Sequence, residues 1–389
     1  MEAKPFSRML IFWMMIIIIC QGSSEAQSEP CTLPKSNNPG TCVAIQRCRN
    51  IFKLVNNPTP ESQKYSKYIK AAACTLPGVT RSICCQPMEV IRETSTTPRS
   101  RVCSLAPAVS KQDLLPSECG LTVDDRISHG NVTKVFAYPW MAILQYDQNG
   151  AIVDGCGGSL INKRYVLTAA HCLKTRSSFQ LHSVILGEHT KNQAVDCNIH
   201  DDGHIVEEDC AEPIEKFGIE SFKVHQDYNR PRFSNDIGLI RLDRDVEMQD
   251  HIKPICLPVT KQLQSQVNDR YILTGWGTTQ NGSDSNILLQ AELNHVNNAD
   301  CQQEMAQKRQ NIQLSDKQIC AGHKDLVDAC KGDSGGPLGI YSSYNGVRFV
   351  QFGIVSSGAD TCGKRNLPGV YCRVASYMDW ILDQIEPSC

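Results

Sequence analysis

A chain of 389 residues, 41% hydrophobic and 21% charged, is long enough for two or three domains and apolar enough to bury a core. Its formal net charge of −2 gives no basic excess for nucleic acid and no acidic excess of a solvated tail. Twenty cysteines point to disulfides in an oxidising compartment, because the paired C-x-x-C knuckles of a zinc site do not occur.

Residues 1–26 read as a secretory signal. Lys4 and Arg8 precede an apolar run from Met9 to Cys20, and Ser24-Glu25-Ala26 is a cleavage site that would leave Gln27 first. The run is short for a membrane span, although a signal anchor is the alternative reading. No other stretch could cross a bilayer, so the expected product is secreted, without a membrane partner. Losing Cys20 from the 20 cysteines leaves 19, so at least one thiol is free or pairs between molecules.

Residues 27–86 hold six cysteines, Cys31, Cys42, Cys48, Cys74, Cys84 and Cys85. A module this small cannot bury enough surface alone, and three internal bridges are its natural staple. Spacing leaves their connectivity open. Residues 87–126, with Thr94-Ser95-Thr96-Thr97-Pro98 and scattered Arg and Lys, have the composition of an exposed linker.

From residue 127 the texture changes. Short apolar stretches alternate with turn residues: Val166-Leu167-Thr168, Val184-Ile185-Leu186, Ile237 to Leu242, Tyr271 to Thr274 and Phe349 to Val355. Strands so short and numerous predict an all-β barrel or sandwich over 127–389. At the end, Val374, Met378, Ile381, Leu382 and Ile385 recur at helical spacing, which predicts a C-terminal amphipathic helix.

Three motifs carry chemistry: Leu167-Thr168-Ala169-Ala170-His171-Cys172, Asn235-Asp236-Ile237-Gly238-Leu239 and Gly332-Asp333-Ser334-Gly335-Gly336-Pro337. A serine hydroxyl is a poor nucleophile at neutral pH. It needs an imidazole to take its proton and a carboxylate to hold that imidazole's tautomer. The glycines beside Ser334 let backbone approach a substrate, so the N–H groups of Gly332 and Ser334 can face a developing oxyanion. Singly, each motif is an ordinary turn or loop; the three together in this order are not.

With Pro139-Trp140, Cys156-Gly157-Gly158-Ser159-Leu160 and Gly275-Trp276-Gly277, these motifs make residues 127–389 resemble the chymotrypsin/trypsin family throughout. The resemblance implies two six-stranded antiparallel β-barrels with a cleft between them. It also implies His171 as general base and acid, Asp236 as its orienting group and Ser334 as nucleophile, with no cofactor for the chemistry. Ser356 would bond near Asp236 and present backbone to substrate. Asp328, six positions before Ser334, matches the acid that selects Arg or Lys in trypsin-like members, and Gly358 and Gly369 match the pocket-wall glycines. The family often carries Trp where this chain has Ser357.

The resemblance also implies a zymogen. Cleavage after Arg126 would free Ile127 to insert and pair with Asp333, and Arg126 implies an upstream activator of trypsin-like specificity. Bridges Cys119–Cys256, Cys156–Cys172, Cys197–Cys210, Cys301–Cys320 and Cys330–Cys362 follow from the same likeness. Cys103, Cys372 and Cys389 stay unassigned, with a buried free thiol the plain reading of Cys372.

The six-cysteine module, ending in adjacent Cys84-Cys85, resembles a clip domain, whose usual bridges would be Cys31–Cys84, Cys42–Cys74 and Cys48–Cys85. Module, linker and protease together resemble the arthropod clip-domain proteases, Grass-like members in particular. Those act in haemolymph cascades leading to Toll signalling or melanisation. The implied partners are a downstream protein zymogen and a serpin inhibitor. A structural Ca²⁺ is implied in the loop after Leu186-Gly187, with carboxylates of Glu188 and Asp196 and carbonyls of Thr190 and Gln193; a merely acidic loop is the alternative. Asn131-Val132-Thr133 and Asn281-Gly282-Ser283 are N-glycosylation acceptors. A catalytically idle clip homologue is the rival class, but those resembling it carry Gly where this chain has Ser334. A digestive trypsin is disfavoured by the clip module and linker.

Overall fold

The computed structural model describes residues 29–34, 39–48, 51, 66–76, 79, 81–85, 110–122, 132–201, 206–231, 234–279, 283–307, 313–322, 332–357 and 368–387. The signal segment and the linker before residue 110 lie outside these. The chain divides into two compact units, 1–100 and 101–389.

In the first unit, β1 (Glu29–Thr32), β2 (Pro39–Ala44), β3 (Ala73–Cys74) and β4 (Ser82–Cys85) form an antiparallel sheet in the order β1-β2-β4-β3. A short helix, α1 (Ser66–Ala71), precedes β3. Its core holds Val43, Ile45, Ile51, Ala72 and Ile83. Among the described residues so few apolar side chains leave little hydrophobic driving force, and the bridges supplement it: Cys31–Cys84 joins β1 to β4, Cys42–Cys74 joins β2 to β3, and Cys48–Cys85 ties the turn after β2 to β4.

The second unit is all-β apart from short helices. Its first sheet is built from β5 (Met141–Gln148), β6 (Ala151–Leu160), β7 (Tyr165–Thr168), β8 (Gln180–Leu186), β11 (Glu215–Phe217), β12 (Ile219–Val224) and β13 (Gly238–Leu242). A separate hairpin, β9 (Cys197–Asp201) with β10 (Val206–Cys210), is closed by Cys197–Cys210. The sheet order is β11-β8-β5-β6-β7-β13-β12. This departs in form from a plain six-stranded barrel. β11 and β12 are two halves of one strand bent at Gly218, one half paired with β8 and the other with β13, so the ring closes through the bend. Asp243 clamps that bend, its N–H donating to the Gly218 carbonyl at 3.0 Å.

The second barrel has six strands and closes fully: β14 (Arg270–Gly275), β15 (Leu289–Val296), β16 (Gln318–Gly322), β17 (Pro337–Ser343), β18 (Val347–Ser357) and β19 (Gly369–Arg373), in the order β14-β15-β16-β19-β18-β17. The two barrels meet on buried contacts. Ser159 of β6 donates to Gln351 of β18 at 2.6 Å, and Trp140 stacks on Phe349 with centroids 5.0 Å apart. Neither Trp140 nor Phe349 is exposed, and burying each contributes about 2–3 kcal/mol. Cys119–Cys256 and Cys301–Cys320 are further staples of this unit.

The C-terminal helix is shorter than its apolar spacing predicts. Val374–Tyr377 is a tight 3-10 turn, the α-helix runs over Met378–Gln384, and Ile385 lies just past its end. No helix among the described residues is long and apolar enough to cross a membrane.

Candidate active site

β7 is wholly buried, and the chain leaving it turns at once into a one-turn helix, Ala170–Leu173. Cys156–Cys172 pins that turn to β6 and leaves His171 half-buried beside it. Asp236 sits just before β13, which pairs with β7, so the two residues 65 positions apart become neighbours. The His171 backbone N–H donates to Asp236 Oδ1 at 2.9 Å, and His171 Nδ1 lies 2.8 Å from Oδ2. A carboxylate only accepts, so Nδ1 carries the proton and Nε2 keeps a free lone pair. Asp236, only 4% exposed, also accepts the Ser356 hydroxyl at 2.6 Å. Burial pulls the His171 pKa down, but the hydrogen bond and charge of Asp236 outweigh it and hold the imidazole above its ordinary value.

Ser334 lies on a loop stitched to both barrels. Gly157 of β6 donates to the Ser334 carbonyl at 2.8 Å, and Gly335 donates to Val355 of β18 at 2.8 Å. Gly335 has φ +79°, and a Cβ there would lie 3.1 Å from Cys172 Sγ and 2.6 Å from the Gly157 carbonyl, so no side chain fits. The Ser334 loop thus packs directly on the turn that carries His171. Neither the Gly332 nor the Ser334 N–H has a hydrogen-bond partner among the described residues. Two unspent donors beside a half-buried hydroxyl can receive a developing negative charge.

Asp333, next to Ser334, is buried at 8% exposure. Gly277 donates its N–H to Asp333 Oδ1 at 2.8 Å, and Gly275 and Gly277 flank the carboxylate so closely that a Cβ on either would collide with it. Gly369 opens β19, buried and paired with Ala321 of β16. The candidate residues Asp328, Gly358, Arg126, Ile127, Asn131 and Asn281, the Cys330–Cys362 pair, and Cys103 and Cys389 all lie outside the described residues. Cys372 is a buried free thiol.

The acidic loop after β8 holds Asp196 in an unusual state. Its Oδ2 accepts the N–H groups of His189 and Thr190, both at 3.2 Å, whereas buried Oδ1 has no partner. Burial, and then the charge of Asp196, push Glu188 up to about 7. Thr190, Gln193 and Asp196 line one cavity of about 460 Å³. An orphaned carboxylate oxygen beside a second, half-buried carboxylate is a hard-oxygen donor set that fits Ca²⁺.

Sequence reasoning missed the support behind Asp236. Asn235, Cys372 and Tyr377 pack against it, and Tyr228 stands close enough for the Asp236 charge to join burial in pushing its phenol up to about 12. The only signal was a polar Asn beside the acid.

A model of the family described as Trypsin matches residues 127–381, and one described as the regulatory CLIP domain of proteinases matches residues 31–85. The serine protease grass of Drosophila melanogaster is 36% identical over 389 residues, 97% of each chain. Melanization protease 1 of the same organism is 33% identical, covering 98% of this chain and 100% of its own. The crystal structure of the Drosophila Grass clip serine protease of the Toll pathway superposes with a TM-score of 0.61 at 37% identity, over 91% of this chain and 96% of that one. The acid–imidazole pair lies in the segment the first family model covers, and the stapled four-stranded module in the segment the second covers. The chain belongs to the trypsin family of serine proteases, among its CLIP-domain members.

Proposed function

We propose that this trypsin-like hydrolase is a secreted zymogen organised as signal (1–26), clip domain (27–86), linker (87–126) and protease (127–389). Cleavage after Arg126 frees the α-amino group of Ile127, which pairs with Asp333 and orders the loop of Ser334. His171 Nε2 takes the Ser334 proton as Oγ attacks the scissile carbonyl. The N–H groups of Gly332 and Ser334 receive the oxyanion, and His171 returns the proton to the leaving amine. Asp236 keeps the tautomer, and Ser356 keeps Asp236 in place. The observation that carries this reading is the two-point grip of Asp236 on His171, with Nε2 left free.

Asp328, with Gly358 and Gly369 leaving room, selects Arg or Lys, because a buried carboxylate requires a cation. The substrate is a downstream protein zymogen in an extracellular innate-immune cascade of the Toll or melanisation type, fed by an upstream protease and halted by a serpin. Glycans on Asn131 and Asn281 accompany secretion. The test is to cut the purified protein at Arg126 and offer a small Arg amide. Turnover that vanishes in Ser334→Ala and falls in Asp328→Ser supports the reading. No turnover above Ser334→Ala would sink it in favour of a non-catalytic clip cofactor, and unchanged Arg cleavage in Asp328→Ser would remove Asp328 from the pocket.

Glu188, Asp196 and the carbonyls of Thr190 and Gln193 hold a structural Ca²⁺, which would neutralise the two carboxylates. A cation bound only by the folded state at 100 times its dissociation constant adds about 2.7 kcal/mol. Chelation should therefore lower the melting temperature by about 5–10 °C for a domain of this size. A thermal scan with and without chelator decides it, and an unshifted midpoint argues for a plain acidic loop.

A further inference from the structure

The acid of the pair stands on a residue the chemistry does not use. Asn235, one position before Asp236, has φ +55° and is 6% exposed. Left-handed backbone is strained for a residue with a Cβ and persists only where its surroundings over-determine it. Here they do. Asn235 Nδ2 donates to the carbonyls of Asp227 and Arg230, at 2.9 and 3.4 Å. Its Oδ1 accepts the Tyr377 hydroxyl at 2.9 Å, a buried bond between residues 142 positions apart. The two carbonyls belong to the turn that precedes Asp236 itself. Tyr377 comes from the 3-10 turn that follows β19, the last strand of the second barrel.

Tyr377 has little freedom to do anything else. It is 2% exposed, and the His225 ring meets it edge-on at 5.4 Å. Burial, then the Cys372 thiol, hold its phenol far above its ordinary value, so it stays a neutral O–H donor. Cys372, buried in β19, is in hydrogen-bonding reach of both the Tyr377 hydroxyl and the Asp236 backbone. The charged and titratable groups around this cluster are Cys372, His225, Asp227, Asp236 and Lys317, whose ammonium lies 5.8 Å from the Tyr377 ring centroid. Burial lowers the His225 pKa, so that ring is neutral near neutral pH.

We propose that Tyr377 is a positioning residue for the triad acid: through Asn235, its hydroxyl fixes the Asn235–Asp236 peptide so that both Asp236 oxygens meet His171. The end of the second barrel thereby sets the orientation of a carboxylate carried by the first. Productive geometry at such sites must hold within about 0.5 Å, and the two Asp236–His171 contacts are already at 2.9 and 2.8 Å. Without the hydroxyl, Asn235 Oδ1 is left buried and unpaired, and the peptide is free to relax away from its left-handed setting.

The test removes the hydroxyl alone. In protein cut at Arg126, Tyr377→Phe should lower kcat about fivefold to tenfold, the span of one lost hydrogen bond, and leave KM within about twofold. The His171 pKa, followed by NMR in a Ser334→Ala background, should fall as the Asp236 contact loosens. Unchanged kcat and unchanged His171 titration, even with a lower melting temperature, would show a merely structural tyrosine and overturn the proposal. Asn235→Gly keeps the backbone setting and deletes the intermediary amide. Tyr377→Phe should cost nothing further on that background, and additive losses would overturn action through Asn235. Should Asn235→Gly not fold, the NMR titration decides alone. The proposal rests on the reading of His171 and Asp236 as the catalytic pair, but the titration needs no turnover. An inactive wild type would therefore refute that reading and leave this one still decided.

Discussion

Replacing Asp236 with Asn is expected to lower kcat about 10⁴-fold, with KM little changed. The carboxylate now accepts from His171 Nδ1, from the His171 backbone and from Ser356. An amide of the same shape keeps most of those contacts but can turn its NH₂ toward Nδ1. The imidazole then carries its proton on Nε2, facing Ser334, and cannot act as base. A second signature separates this from simple misfolding. In the wild type, the charge and bond of Asp236 more than offset burial and hold the His171 imidazole above its ordinary value, so the acid limb of kcat/KM is expected above that value too. Activity requires neutral His171 and therefore rises as pH climbs through that raised value. With Asp236 neutralised, burial alone remains, and burial favours the uncharged ring. The residual activity of Asp236→Asn should therefore have its acid limb shifted downward. A pH–rate profile with the limb unmoved would mean that Asp236 does not set the charge of His171.

Much of this site was legible because its motifs are local. Val166-Leu167-Thr168 is apolar enough to make a buried strand, and the turn after it delivers His171 wherever that strand lies. Ser334 sits between glycines that only a tight, closely packed loop would need. The missing parts are long-range. Tyr377 falls inside the C-terminal stretch from Val374 to Ile385 but is not one of its apolar positions at helical spacing, and nothing local says that its hydroxyl reaches Asn235. The same residue explains why the helix starts late. At φ −124° and ψ 11° it lies outside the helical region, so regular helix begins at Met378. The bend at Gly218 was equally invisible, because it exists to close a barrel on β8 and β13, strands from other parts of the sequence. An acidic loop could be read from Glu188 and Asp196. That one oxygen of Asp196 is buried without a partner could not.

Gly277→Ala is expected to cost at least about 100-fold in kcat of the cut enzyme, the scale of one lost oxyanion donor, while leaving cleavage at Arg126 intact. The Gly277 N–H donates to Asp333 Oδ1 at 2.8 Å, so backbone and carboxylate are already in contact. A Cβ on Gly277 would sit no farther than 2.5 Å from that oxygen, closer than real Cβ contacts come. Something must move. Asp333 is short, buried and bonded into the chain beside Ser334, whereas Gly277 follows Trp276, whose indole N–H is fixed on the His189 carbonyl at 3.0 Å. The carboxylate is therefore the group displaced, and it carries the Ser334 N–H, one of the two proposed oxyanion donors, with it. If the Ile127 amino group pairs with Asp333, the same displacement weakens that pairing, so the variant should behave as a cut but largely unswitched zymogen. Reaction with an Arg-directed covalent inhibitor, counted against the fraction of chain cut, measures this directly. Full labelling of cut Gly277→Ala would mean that Asp333 tolerates the methyl group, and that the order of the nucleophile loop does not depend on where this carboxylate sits.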